Sequence, residues 1–375
     1  METREALIQL NLIPGLGSAT IHRLLGAFES PIEIFRAPAG ALKEILGQYA
    51  TEEIIAGIHS AVQGEFLHEE LQRARQRQIE IVTLLDPGYP KLLKTITDPP
   101  PVLYVKGTLL EEDEASVAVV GTRNATPYGL DTARRFGSAL AQCGITVVSG
   151  LAEGIDGAAH QGALEAKGRT LAVLGHGLSF LFPSCHRKLG DQIAESGALL
   201  SEFPMQLAPL KENFPRRNRV IAGLSLGVLV IEAPQKSGAL ITAREALEQG
   251  REVFAVPGPI SSDKSRGTHR LLKDGAKLAE NVHDILEELA LPLKERLRDW
   301  TIQIDPTQAE PPLPAGLSEE ELRVFGAIPI GAASMAESIG RGTAMSPGRL
   351  LSVLTGLEVR GLVKQIPGKG YSRLS

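Results

Sequence analysis

The chain has 375 residues and 43% of them are apolar, so it can bury a large core and wholesale disorder is excluded. Its formal net charge is only -5, which excludes global basicity and confines any polyanion site to a local patch. Two cysteines, Cys143 and Cys185, cannot build a disulfide framework, and no run of about 18 apolar residues marks a membrane span.

Residues 1–78 read as helical, with apolar side chains at helical spacing in Ala6-Leu7-Leu10 and in Ile21-Leu24-Leu25-Phe28. Between them lies Ile13-Pro14-Gly15-Leu16-Gly17, a turn with two glycines. Such a turn before a helix N-terminus can approach a phosphate, as in a helix-hairpin-helix DNA module. It can equally be a tight turn between two packing helices. The first residues, METREALIQLNLIPG, have no basic segment followed by a long apolar one, so no signal peptide is expected. With two free thiols, that suits a cytoplasmic protein.

Residues 79–108 carry two expected strands, 79–84 and 102–105, punctuated by Tyr89-Pro90 and Pro99-Pro100-Pro101. They read as the lead-in, 79–114, of a Rossmann-like domain that spans 79–290. From 115 to 290, apolar runs alternate with amphipathic stretches. The runs are 117–120, 145–148, 171–174, 198–200, 228–231 and 253–256, and the stretches include 128–142 and 239–249. Fully apolar strands in a βαβα order imply a mostly parallel sheet covered on both faces, a doubly wound Rossmann-like α/β fold. Prolines 311, 312 and 314 mark a linker over 291–316. Residues 317–375 then offer helices at 319–328, 334–339 and 347–360. A short hairpin through Pro367-Gly368 completes the outline of a C-terminal winged helix.

Ligands of doubly wound sheets bind outside the carboxyl ends of the strands. There the sequence places Gly121-Thr122-Arg123, Ser149-Gly150 through Asp156, Gly175-His176-Gly177, Ser201-Glu202 and Pro257-Gly258. These small residues could expose backbone N–H groups to phosphates or sugars. No GxGxxG, GxxxxGK[ST] or GxSxG motif occurs, so no dinucleotide, P-loop or hydrolase site is expected. His176 and His186 lack metal-ligand spacing, and neither metal nor cofactor is expected. Glu153, Asp156 and His160 lie close in sequence. A catalytic carboxylate–histidine pair is conceivable there, but Asp156 better suits a helix cap or a loop anchor.

The densest basic segment runs from Lys211 to Arg219, with four cations, one acid and Phe214 in nine residues. Cations interleaved with a ring suit an unpaired strand, whose phosphates and base faces are both accessible. A solvated basic turn with Phe214 in the core is the plainer alternative.

These residues also resemble the DNA-processing protein A (DprA/Smf) family. The likeness rests on Gly121-Thr122-Arg123, on the run from Val147 to Asp156 with Ala159-His160, and on Phe214-Pro215-Arg216-Arg217-Asn218-Arg219-Val220-Ile221-Ala222-Gly223. Ser237-Gly238-Ala239-Leu240-Ile241-Thr242-Ala243 and Val256-Pro257-Gly258 add to it. The resemblance implies a non-catalytic protein that binds single-stranded DNA and loads the RecA recombinase onto it during natural transformation. It implies a homodimer, with a sterile-alpha-motif-like N-terminus and a winged-helix C-terminus. It implies that Arg123 meets the DNA backbone, Lys211 pairs with a phosphate and Phe214 stacks a base. Arg217, Asn218 and Arg219 would shape or line the same pocket beside Gly121 and Thr122, with Ser149 and Gly150 as its floor. Two positions depart from the family pattern: Glu153 stands where Arg is usual, and His186 where Asn is usual.

Two other classes stay open. A nucleotide phosphoribohydrolase could use the same core, although Pro257-Gly258-Pro259-Ile260 does not meet the Pro-Gly-Gly-x-Gly-Thr signature of those enzymes. A duplex-binding regulator could act through 317–375, where seven Lys/Arg face five Asp/Glu, which is only mildly basic.

Overall fold

The computed structural model describes residues 2–61, 65–290, 293, 317–328, 334–343, 345–366 and 370–373. The chain divides into two compact units: one comprises Met1–Ala125 and Ala133–Thr301, with the N-terminal helices and the α/β body, and the other comprises Thr126–Thr132 and Ile302–Ser375. The proposed linker lies outside the described residues apart from Leu293, as does the expected hairpin turn Pro367-Gly368.

Nine strands make one sheet: β1 (Ile79–Thr83), β2 (Val102–Gly107), β3 (Ser116–Val120), β4 (Thr146–Ser149), β5 (Thr170–Leu174), β6 (Ala198–Ser201), β7 (Gly227–Val230), β8 (Glu252–Ala255) and β9 (Lys277–Leu278). Their order is β1-β2-β6-β5-β4-β3-β7-β8-β9. From β6 to β9 every neighbouring pair is parallel. The chain winds outward from β3 on one side and then from β7 on the other, so the strand order reverses at β3, where a doubly wound sheet opens its crevice.

The continuous apolar runs have the expected cause. Every residue of β3 to β7 is buried. Side chains alternate between faces: Val117 and Val119 join one core layer, Ala118 and Val120 the other. The 79–108 segment supplies two strands at the sheet edge. Its strands extend the sheet itself, β1 antiparallel to β2 with Ile79 opposite Lys106, and β2 antiparallel to β6 with Tyr104 opposite Ser201. Antiparallel strands often close the edge of a parallel sheet. β9, two residues long, is too short to leave an apolar run.

Glycines let the covering helices approach one another. A Cβ at Gly162 would sit 2.0 Å from the Arg134 carbonyl oxygen, and one at Gly137 would sit 2.2 Å from that of Ala159. Helices Pro127–Gln142 and Ile155–Glu165 therefore touch backbone to backbone.

The N-terminal helices, from Thr3–Asn11 to Glu65–Gln76, enclose their own core around Leu10, Ile21, Leu42 and Ile58. They are also tied to the sheet. Arg4 meets Asp86 at 3.0 Å, the Ser18 hydroxyl donates to Asp98 at 2.5 Å, and Glu70 accepts the Met205 N–H at 2.7 Å.

In the second unit, helices Glu319–Ala327, Ala336–Thr343 and Pro347–Val359 precede an antiparallel pair, β10 (Val363–Ile366) and β11 (Gly370–Arg373). Ser334 bridges to Tyr371, and Val324, Leu354, Leu357, Val363 and Tyr371 share one core. Three helices and a strand pair in this order make the expected winged helix.

Gly162→Val should be destabilised by at least about 1–3 kcal/mol, because the added side chain meets backbone that cannot yield. A lower urea midpoint at unchanged slope would show this, whereas an unchanged midpoint would contradict the backbone contact.

Candidate nucleic-acid interface

A small cleft of about 130 Å³ opens beyond the carboxyl ends of β3, β4 and β5. Arg123 follows β3, Gly150, Ala152 and Glu153 follow β4, and Phe182-Pro183 follows β5. Phe214 and Arg217 come from helix Asn213–Gly223. The cleft therefore gathers residues from four separated segments.

The basic segment 211–219 is mostly helical rather than a solvated turn, since the helix begins at Asn213. Pro215 falls in its first turn, where no intrahelical N–H is lost. Helical spacing then divides the segment. Phe214 and Arg217, three residues apart, share the cleft face. Arg216 and Arg219 turn elsewhere: Arg216 lies over the Phe203 ring at 5.6 Å, and Arg219 bonds Glu202 at 2.5 Å with Asp98 at 3.6 Å. The charge of Arg219 is thereby spent inside the protein rather than on the cleft. Lys211 precedes the helix, exposed, with no ion pair among the described residues.

Arg217 is 5% exposed, so it shapes the cleft from beneath. Its guanidinium donates to the carbonyl oxygens of Gly150, at 2.8 Å, and Val173, and to Asn218 Oδ1 at 3.2 Å. Asn218 passes the contact on to the Gly238 carbonyl at 3.2 Å. Burial pulls the Arg217 pKa down to about 10, against the opposing pull of Asp156. Asp156 is buried in turn, and burial raises its pKa. Its carboxylate accepts the N–H groups of Gly150, at 3.2 Å, and Ala152. Gly150 has no room for a side chain, since a Cβ would fall 2.2 Å from the Arg217 guanidinium. Leu151 completes this loop with φ +55, a left-handed backbone that non-glycine residues rarely adopt outside constrained sites.

This arrangement corrects the expected cradle of outward N–H groups. The N–H groups of Gly150 and Ala152 turn inward, because a buried carboxylate needs donors. The Thr122 N–H donates to the Glu232 carbonyl at 2.7 Å, and the Ser149 hydroxyl to the Val119 carbonyl at 2.6 Å. Gly121 is a packing glycine, its Cβ position 2.4 Å from Ile155. These residues build the wall and leave the outward chemistry to side chains.

At the rim, the Arg123 guanidinium lies 5.0 Å above the Phe214 ring centroid, a cation–π contact. The Phe182 ring is 6.2 Å away, tilted by 44°. Beneath Phe214 a Cβ at Gly175 would come within 2.9 Å, so the ring rests on bare backbone. Sequence reasoning missed Phe182; its signal was an aromatic before proline in a strand-end loop. Glu153 is exposed on the same rim and accepts the Cys185 thiol at 3.7 Å. His186 contacts the Leu151 carbonyl at 3.0 Å and fills the space over Gly157.

The conceivable catalytic group does not assemble. Glu153 faces solvent, Asp156 holds the loop, and His160 is fully buried, its Nδ1 2.6 Å from Thr170 Oγ1. The Thr170 hydroxyl donates to the Val147 carbonyl, so His160 Nδ1 must be the donor to Thr170. The turn Gly15–Gly17 is likewise packed on protein: the Arg216 guanidinium is 3.0 Å from the Gly17 Cβ position, and His22 meets the Pro99 carbonyl at 2.6 Å. Among the described residues no His/Cys/Asp/Glu group is arranged to hold a metal, and no helix is long and apolar enough to cross a membrane.

Comparison with known proteins agrees with this layout. Residues 80–290 match the model of DNA recombination-mediator protein A, and residues 308–369 match that of the DprA winged helix domain. Protein Smf of Synechocystis is 36% identical over 96% of both chains. DNA processing protein DprA of Bacillus subtilis is 44% identical over 57% of this chain and 73% of its own. The crystal structure of DNA processing protein A from Streptococcus pneumoniae superposes with TM-score 0.67 at 36% identity, covering 77% of this chain and 98% of that one. A structure from Helicobacter pylori, solved for the single-stranded DNA binding mode of its DNA processing protein A, gives TM-score 0.51 at 32% identity over 57% and 97%.

Burial drops the pKa of His160 from 6.5 to about 3. Between those values the unfolded chain binds the proton and the folded chain does not. Stability should therefore fall as pH drops from 6.5 toward 3. His160→Asn should flatten that decline in urea midpoints taken across the window; an identical pH profile would show that the imidazole does not contribute.

Proposed function

Because this chain belongs to the DNA recombination-mediator protein A family, we propose that its cleft binds single-stranded DNA and that the protein loads RecA recombinase onto the bound strand during natural transformation and recombination. It acts as a cytoplasmic homodimer and catalyses no reaction of its own. Arg123 and Lys211 meet phosphates, and Phe214 stacks a base. Arg217 and Asn218 keep the cleft in shape.

The stacked pair of Arg123 and Phe214 is the observation that supports this reading most. Phosphate and base are the two faces that an unpaired strand presents together, and a duplex hides the second. In the free protein the guanidinium covers one ring face. When a base takes that face, Arg123 shifts to the adjoining phosphate. The single-strand binding of the Helicobacter pylori relative is consistent with this. Arg219, paired with Glu202, is left out of the strand-contacting set.

Oligothymidine binding should weaken with salt, at a log–log slope of about -0.7 per neutralised phosphate. Arg123→Ala or Lys211→Ala should each flatten the slope by about that amount. Phe214→Ala should cost roughly 1–3 kcal/mol with the slope unchanged. Glu153→Arg, which restores the usual family residue, should tighten binding and steepen the slope. Equal binding by all four variants would remove the strand from this cleft. A gel shift with single and double strands, with and without RecA, tests the partner: a ternary complex on the single strand is expected, and its absence would refute loading.

A further inference from the structure

We propose that a bound strand runs on from the cleft, over the segment 178–187, into a second basic depression on the neighbouring face of the sheet. This rests on the single-strand reading given above. The depression has a volume of about 360 Å³ and lies between the end of helix Glu65–Gln76 and the start of helix Arg187–Ser196. Ile79 of β1 and Leu199 of β6 line it.

Three cations surround it: Arg77, Lys106 and Arg187. Lys106 is 3.3 Å from Asp191, so that pair is neutralised. Arg77 and Arg187 are exposed and have no ion pair among the described residues. Phe180 lines the same depression with 39% of its surface open to solvent. Two uncompensated guanidinium groups beside an exposed ring repeat the composition of the first cleft, where Arg123 accompanies Phe214. Such a pairing suits phosphates and unpaired bases in succession.

One short segment walls both sites. Phe182 and Pro183 line the first cleft, whereas 178–181 and Arg187 line the second. A strand leaving Phe214 past Phe182 therefore meets Phe180 next. Neither arginine side chain has a hydrogen-bond or ion-pair partner among the described residues, so their replacement leaves the fold intact.

Fluorescein-labelled oligothymidines of five and twenty nucleotides test the path in a salt titration with the full chain. The unaltered protein should bind the longer probe more tightly and with a steeper salt slope. The double variant Arg77→Ala/Arg187→Ala should lose about tenfold on the twenty-mer, flatten its slope by about 1.4 and leave the five-mer unchanged. Phe180→Ala should weaken the twenty-mer alone at constant slope. Unaltered twenty-mer binding by the double variant would overturn the second site while the first stands. Equal losses on both probes would also overturn it, since the arginines would then act on the first cleft. If the unaltered protein bound neither probe, the single-strand reading itself would fall, and this path with it.

Discussion

A buried guanidinium organises the cleft edge of this protein. Arg217 sits beneath the cleft and ties the end of β5, at Val173, to the loop after β4, at Gly150. Its charge is tolerable there because Asp156, also buried, lies within its field and is itself ordered by N–H donors from the same loop. Removing one member of such a pair leaves the other uncompensated, which typically costs about 3–5 kcal/mol. The outward-facing groups depend on this inner pair. Phe214 rises from the same helix face as Arg217, and the loop that Asp156 orders carries Glu153 on the rim.

The cleft thus divides labour between two layers. Small residues at the strand ends turn their backbone groups inward and satisfy buried charges. Side chains from separated segments, Arg123, Phe182 and Phe214, supply the exposed surface. The loop after β6 takes up charge on the other face of helix Asn213–Gly223, where Arg219 meets Glu202 and Arg216 lies over Phe203. A chain that is acidic overall can in this way keep a locally cationic rim.

Much of the architecture was legible in the sequence because it rests on short-range pattern. The apolar runs of β3 to β8 read correctly, since strands buried on both faces carry no polar alternation. The winged-helix elements read correctly as well, with Ser318 and Glu321 forming a capping box before the first helix. The placement of β1 and β2 did not, because nothing local says which sheet edge an antiparallel pair will join. For the site, the segments were legible but the side-chain directions were not. The basic density of 211–219 does not show which way each cation points; the helix that begins at Asn213 turns Phe214 and Arg217 to the cleft and Arg216 and Arg219 away from it. The roles of Ser149 and Thr122 were hidden for a similar reason, since their partners, Val119 and Glu232, are distant in the chain.

Photo-crosslinking tests the central claim most directly. Irradiation of the protein with oligothymidine, followed by peptide mapping, should give a thymine adduct on Phe214, and Arg217→Met should abolish it in a protein that remains folded. An adduct confined to the winged helix, or one on Phe214 that persists without the Arg217 side chain, would contradict the account.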